Sequence, residues 1–190
     1  MLVVYALRPY LNPMMIFIAE YAVFFLAIAV MVIWFTRNSK NRMMVLCGAS
    51  FVLSEILGKI AGKIHSNNQP FAELANVNKL IDKAVDNSFP SDHTILFFSF
   101  CITIWMFKRG WGFLWIVLAS LVGVARIWVG VHFPGDVIVG AIISIITASI
   151  VYQVVPRLSI THKLLGIYEK SEQFLITSVL KPKETKSKDI

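Results

Sequence analysis

Two short stretches of this chain gather side chains able to do acid, base and nucleophilic chemistry. One runs from Ala125 and Arg126 through His132 and Pro134 to Asp136; the other is Phe89-Pro90-Ser91-Asp92-His93-Thr94. Pro134 suits the opening turn of a helix, where its missing N–H costs nothing. His132 then stands just before that helix and Asp136 in its first turn. A carboxylate so placed can accept from one imidazole nitrogen, fix the tautomer and leave the other nitrogen as a nucleophile. Arg126 approaches from the preceding apolar segment with a fork of donors matched to phosphate oxygens. The plainer alternative is a helix-end salt bridge between Arg126 and Asp136, with His132 as an interfacial residue. In the second stretch Ser91 reads as an N-cap, and the helix it opens offers free N–H groups and partial positive charge to an anion. His93 in the first turn could donate a proton to a leaving oxygen. The alternative there is an ordinary cap beside a solvated histidine.

The elements that must carry these groups are apolar. Runs at residues 13–35, 44–64, 90–107, 112–131 and 134–155 are each of a length to cross roughly 30 Å of hydrocarbon at about 1.5 Å per residue. The expected fold is therefore all-α, an integral membrane helix bundle of about five transmembrane helices plus short interfacial helices. Arg37, Lys40, Arg42, Lys108, Arg109, Arg157 and Lys163 fall on one side of it, which the positive-inside rule makes cytoplasmic. Loops 65–93 and 126–136 then share the outer side, and both chemical stretches lie in them or at adjoining span ends. Interfacial helices are expected at 1–12 and 164–180, and an amphipathic piece at 77–85 lying on the membrane surface. Residues 1–180 make one membrane domain, and 181–190 a charged, disordered tail.

Composition agrees with this organisation. Of 190 residues, 57% are hydrophobic and the mean hydropathy is +0.70, more apolar than a soluble domain of this size. The net charge of +7 is spread over short segments between apolar runs, so no nucleic acid partner is expected. Cys47 and Cys101 lie inside apolar runs and read as packing residues rather than a disulfide. The apolar stretch 2–7, followed by Arg8, is too short for a secretory signal. Glu20, in the middle of the first span, should face protein or a polar cavity. There is no internal repeat.

The two chemical stretches resemble motifs of the type-2 phosphatidic-acid phosphatase superfamily, P-S-G-H and S-R-x-x-x-x-x-H-x-x-x-D. Here Asp92 replaces the glycine of the first pattern and Ala125 the serine of the second, with spacing intact. A further family motif, K-x-x-x-x-x-x-R-P, is degraded. Gln69-Pro70 stands where Arg-Pro would be, Gly62 holds the lysine position, Lys63 comes one residue late and Lys59 nearly a turn early. Within the superfamily the chain is similar to bacitracin-resistance undecaprenyl-diphosphate phosphatases of the BcrC type, through residues 55–60, 65–71 and 87–94.

That resemblance implies a membrane phosphatase. His132 would attack phosphorus, oriented by Asp136, and His93 would protonate the leaving lipid phosphate. Arg126, Ser91, Asp92 and the candidates Lys59, Lys63 and Gln69 would hold phosphoryl oxygens; Lys59 could instead simply neutralise Glu55, four residues away. No metal or other cofactor is implied. The partners implied are a polyprenyl diphosphate lipid and membrane lipids, with the site facing outward from a bacterial cell membrane. Phosphatidic acid or phosphatidylglycerol phosphate is the alternative substrate. A non-catalytic lipid-carrier transporter or resistance-complex subunit is the alternative from another class.

Overall fold

The computed structural model of the chain describes residues 2–180; the expected tail at 181–190 lies outside the described residues. Eight α-helices follow one another: α1 (Leu2–Phe35), α2 (Ser39–Gly48), α3 (Ser50–Ile64), α4 (Pro70–Glu73), α5 (Asp92–Lys108), α6 (Phe113–Trp128), α7 (Pro134–Val154) and α8 (Ser159–Leu180). Among the described residues, four stretches are long and apolar enough to cross a membrane: Pro9–Phe35, Ser39–Ile64, Gly110–Trp128 and Pro134–Arg157. α5, with 17 residues, is shorter and is the most enclosed of the bundle. The molecule is an integral membrane helix bundle.

α5 is the axis around which the others pack, chiefly α7, α6, α3 and α2. Its Ile95, Phe97 and Cys101 are buried, and so is Cys47 of α2; both cysteines are free. Between α3, α5 and α7 the contact surface is small and hydroxylated rather than bulky. Ser54 Oγ lies 3.2 Å from Ser99 Oγ and hydrogen-bonds Thr147 as well, while Ser144 Oγ donates to the Ile95 carbonyl at 3.0 Å. Small residues let helix backbones approach closely where lipid gives no hydrophobic drive to association.

Three local expectations change. The interfacial helix expected at 1–12 is not a separate element among the described residues: from Leu2, α1 runs unbroken through Pro9 and Pro13. The apolar run at 44–64 belongs to two helices meeting at Ala49 (φ −63°, ψ 0°). The segment 77–85 is not an amphipathic surface helix. Its backbone is instead tied to the end of α6, with Leu80 N–H donating to the Val129 carbonyl at 3.3 Å, and Ile81 is buried against Met15, Ala19 and Val129. α8 forms as a helix and docks on the start of α2 through buried Arg42, which meets Glu172 and, at 3.4 Å, Glu169.

Candidate active site

The site lies where the N-terminal ends of α5 and α7 meet the C-terminal end of α6. After Trp128 the chain turns at Gly130, whose φ of +81° belongs to the left-handed region and where a Cβ would fall 2.8 Å from the Asn78 carbonyl. That turn needs glycine on both counts. Phe133 then caps α7 and Pro134 fills its first turn. Asp136 folds back over this start: its Oδ2 accepts from the Phe133 N–H at 2.8 Å and from Ser88 Oγ at 2.6 Å.

His132 is only 3% exposed. Its Nδ1 lies 2.9 Å from the Ser88 carbonyl oxygen, and 3.7 Å from Asp136 Oδ2. The direct partner of the ring is thus a main-chain carbonyl, and the carboxylate stands behind it, holding Ser88 and Phe133. A carbonyl only accepts, so Nδ1 carries the hydrogen and Nε2 keeps its lone pair. Burial pushes the imidazole below its usual value of 6.5, and Arg126 and Lys83 add to this, while Asp136 and the Ser88 carbonyl oppose it. Ser88 carried no signal of its own in the sequence, because its contact with His132 spans 44 residues.

Arg126 is also buried. Its Nη1 donates to the Ala19 carbonyl at 3.2 Å, and its Nε has no partner. A buried guanidinium with an unmet donor is a seat for an anion. It lines a cavity of about 410 Å³ together with Glu20, Tyr21, Phe24, Lys83 and His93. His93, Arg126 and Lys83 share this cavity, and the two motif stretches are joined by the Ser91 N–H, which donates to the Asp136 carbonyl at 3.2 Å. Glu20 lies in a polar cavity, one of the two settings expected of it. Lys83 was not singled out in the sequence, since nothing in its neighbourhood repeats a known pattern. A second cavity, about 420 Å³ and almost wholly apolar, begins one residue along α1: Phe24 lines the first and Val23 the second, with Leu96 and Phe100 of α5 as its far wall.

The remaining candidates are placed differently. Ser91 occupies the N-cap position of α5 but makes no side-chain cap; its buried hydroxyl accepts from Thr94 Oγ1 at 3.0 Å. Asp92, the first residue of α5, is exposed. Gln69 is fully buried and engaged at both ends of its amide, accepting from the Asp86 N–H at 2.9 Å and donating to the Ala84 carbonyl at 3.4 Å. It is a loop clamp rather than a free phosphate donor. Lys59 and Lys63 are exposed on α3 and do not line the cavity. A Cβ at Gly62 would meet the Phe89 carbonyl at 2.7 Å, so the loop entering α5 occupies the space a side chain there would need. His65 is exposed, its ring edge-on to Phe89.

Residues 49–160 match the family model of the PAP2 superfamily, and the chain belongs to that superfamily. It is 52% identical over 180 residues to the bacitracin transport permease protein BcrC of Bacillus licheniformis, covering 94% of this chain and 86% of that one. It is 33% identical over 137 residues to the undecaprenyl-diphosphatase BcrC of Bacillus subtilis (strain 168), covering 72% and 70%. The crystal structure of Aquifex aeolicus LpxE superposes with a TM-score of 0.62 at 27% identity, over 76% of this chain and 87% of that one.

Proposed function

We propose that this protein hydrolyses undecaprenyl diphosphate to undecaprenyl phosphate and inorganic phosphate through a phosphohistidine at His132. The observation that carries this reading is the Ser88 carbonyl at 2.9 Å from Nδ1, which leaves Nε2 of a buried, neutral imidazole beside an arginine with an unmet donor. Nε2 attacks the terminal phosphorus as the bond to the bridging oxygen breaks, and His93 delivers a proton to that oxygen. Water then attacks phosphorus, gives its proton to His93, and the P–N bond breaks to release phosphate and free His132. Arg126 neutralises the charge that builds on the phosphoryl oxygens, the main task in such transfers. Asp136 acts on His132 through Ser88 and the Phe133 turn. The lipid chain lies along α1, whose Val23, Leu26 and Val30 line the apolar cleft.

Hydrolysis regenerates the lipid carrier of cell-wall synthesis and confers bacitracin resistance. The protein resides in a bacterial cell membrane with this site outward. In support, His93 and Pro134 open α5 and α7 at one end of the bundle, whereas Lys108 and Arg157 follow at the other.

The relatives' names diverge, one a permease and one a diphosphatase. Two histidines and an arginine converging at one helix-end cluster favour catalysis, since passage of a lipid needs no nucleophile. The test is phosphate release by the purified protein from undecaprenyl diphosphate, phosphatidic acid and phosphatidylglycerol phosphate, in chelator. Rapid release from the first, lost in His132→Ala, is expected. Preference for a glycerolipid would overturn the substrate, and binding without turnover would favour the permease.

A further inference from the structure

We infer that Lys83 forms a second phosphate subsite, which grips the phosphate remaining on the lipid while Arg126 grips the one removed. Which phosphate goes to which cation rests on the diphosphatase reading above; the pairing of two cations in one cavity does not.

Lys83 is half-buried and lines the cavity with His93 and Arg126. Among the described residues it has no hydrogen bond or ion pair within 4.0 Å, although acids surround it in sequence. Those acids are engaged elsewhere. Asp82 is turned outward and pairs with Lys79 at 3.0 Å, and Asp86 accepts from the Asn87 N–H at 2.7 Å. Burial and the nearby Arg126 push the Lys83 ammonium below its usual range, against the pull of Asp92 and Asp86. A half-buried cation beside another cation is better accommodated when an anion joins them. Glu20, the other carboxylate on the cavity wall, acts on Arg126.

The loop is built to hold this lysine still. On one side Ile81 is buried and Leu80 bonds to Val129; on the other, the Gln69 amide clasps Ala84 and Asp86. A lysine on an irregular segment is thereby anchored on both flanks, which cuts the entropy lost on gripping a ligand. The two cations of the degraded family motif are missing from positions 62 and 69, and Gln69, in the arginine position, now anchors the loop that brings Lys83 in. A monophosphate would satisfy Arg126 alone, whereas a diphosphate engages both groups. Arg126, whose Nε has no partner, takes the phosphate that is removed, and the second phosphate falls to Lys83 across the same cavity.

The test uses full-length protein with inorganic pyrophosphate and orthophosphate as probes, read as dissociation constants from thermal-shift titrations. Lys83→Met should weaken pyrophosphate about tenfold or more and orthophosphate less than about threefold, with Lys83→Arg restoring most of the difference. Equal weakening of both anions, or no effect on pyrophosphate, overturns the subsite. Turnover is then compared on undecaprenyl diphosphate and phosphatidic acid, where Lys83→Met should lower kcat/KM selectively for the diphosphate. If wild type turns over neither lipid, the phosphatase reading fails while the anion titrations still decide the subsite. The unliganded thermal midpoint of each variant separates a lost contact from a lost fold.

Discussion

The Ser88 carbonyl oxygen accepts from Nδ1 of His132 at 2.9 Å, while the hydroxyl of the same serine donates to Asp136 Oδ2 at 2.6 Å. One residue thus links the imidazole to its carboxylate, by main chain on one side and side chain on the other. Second partners of this kind fix ring orientation and tautomer as effectively as a direct carboxylate.

Ser88→Ala keeps the carbonyl but removes the hydroxyl that positions it. A fall in kcat of about tenfold, near 1.4 kcal/mol, is expected, with KM little changed. Asp136→Ala strips partners from both Ser88 and Phe133 and should cost about a hundredfold or more, together with a lower thermal midpoint. Unchanged kcat in Ser88→Ala would mean that the carboxylate acts on the ring without this bridge.

The pH profile follows from the burial of His132. Its folded value lies below 6.5, so the neutral, attacking ring persists as pH drops past 6.5, and the acid limb of kcat/KM due to this ring should fall lower than that. Because the unfolded chain binds this proton more readily, stability should decline as pH is lowered through 6.5. Rate profiles and thermal midpoints between pH 4 and 8, roughly the range where histidines titrate, check both signs. A limb centred above 6.5 would contradict the buried, uncharged ring.

Gln69→Arg restores the residue the family pattern has at this place, yet it should be harmful here. Both ends of the Gln69 amide are occupied and the side chain has no exposure, so a buried guanidinium, which has donors only, would leave the Asp86 N–H without its acceptor. A loss of about 2 kcal/mol or more in stability is expected, with a matching fall in kcat/KM as Lys83 loses its anchor. Chemical denaturation and phosphate release measure the two effects.

Gly62→Lys makes the companion restoration and should also fail. The new Cβ would sit 2.7 Å from the Phe89 carbonyl and 2.9 Å from Asn87 Nδ2, both part of the loop entering α5. Displacing that main chain costs about 1–3 kcal/mol and moves Ser88 with it. A drop in kcat larger than the drop in thermal stability predicts is the signature to seek.

The spans were legible because a bilayer demands long apolar runs, and the spacing of Arg126, His132 and Asp136 because it is local to one helix junction. The family relationship was legible for the same reason, being carried by short motifs. What escaped the sequence depends on distant packing. Ser88 and Lys83 reach the site because the 74–91 segment is stitched to the end of α6 and clasped by Gln69. Residues 77–85 showed a helical pattern of apolar side chains, but the hydrogen bond from Leu80 to Val129 and burial of Ile81 overrode it. Ser91 had the residue type of a cap, and its hydroxyl was taken by Thr94 instead.

Buried Arg42, 1% exposed, meets Glu169 and Glu172 of α8 and lies 5.0 Å over the Tyr168 ring. The matched family region closes at residue 160, so these counter-charges come from beyond it. Cutting the chain there would remove both carboxylates and uncover Arg42 to water, so the hydrated guanidinium would no longer tie α8 to the start of α2. The middle of α8 is in this sense an electrical ground for α2, and shortened versions of the protein would lose that tether at the end of the bundle opposite the chemistry.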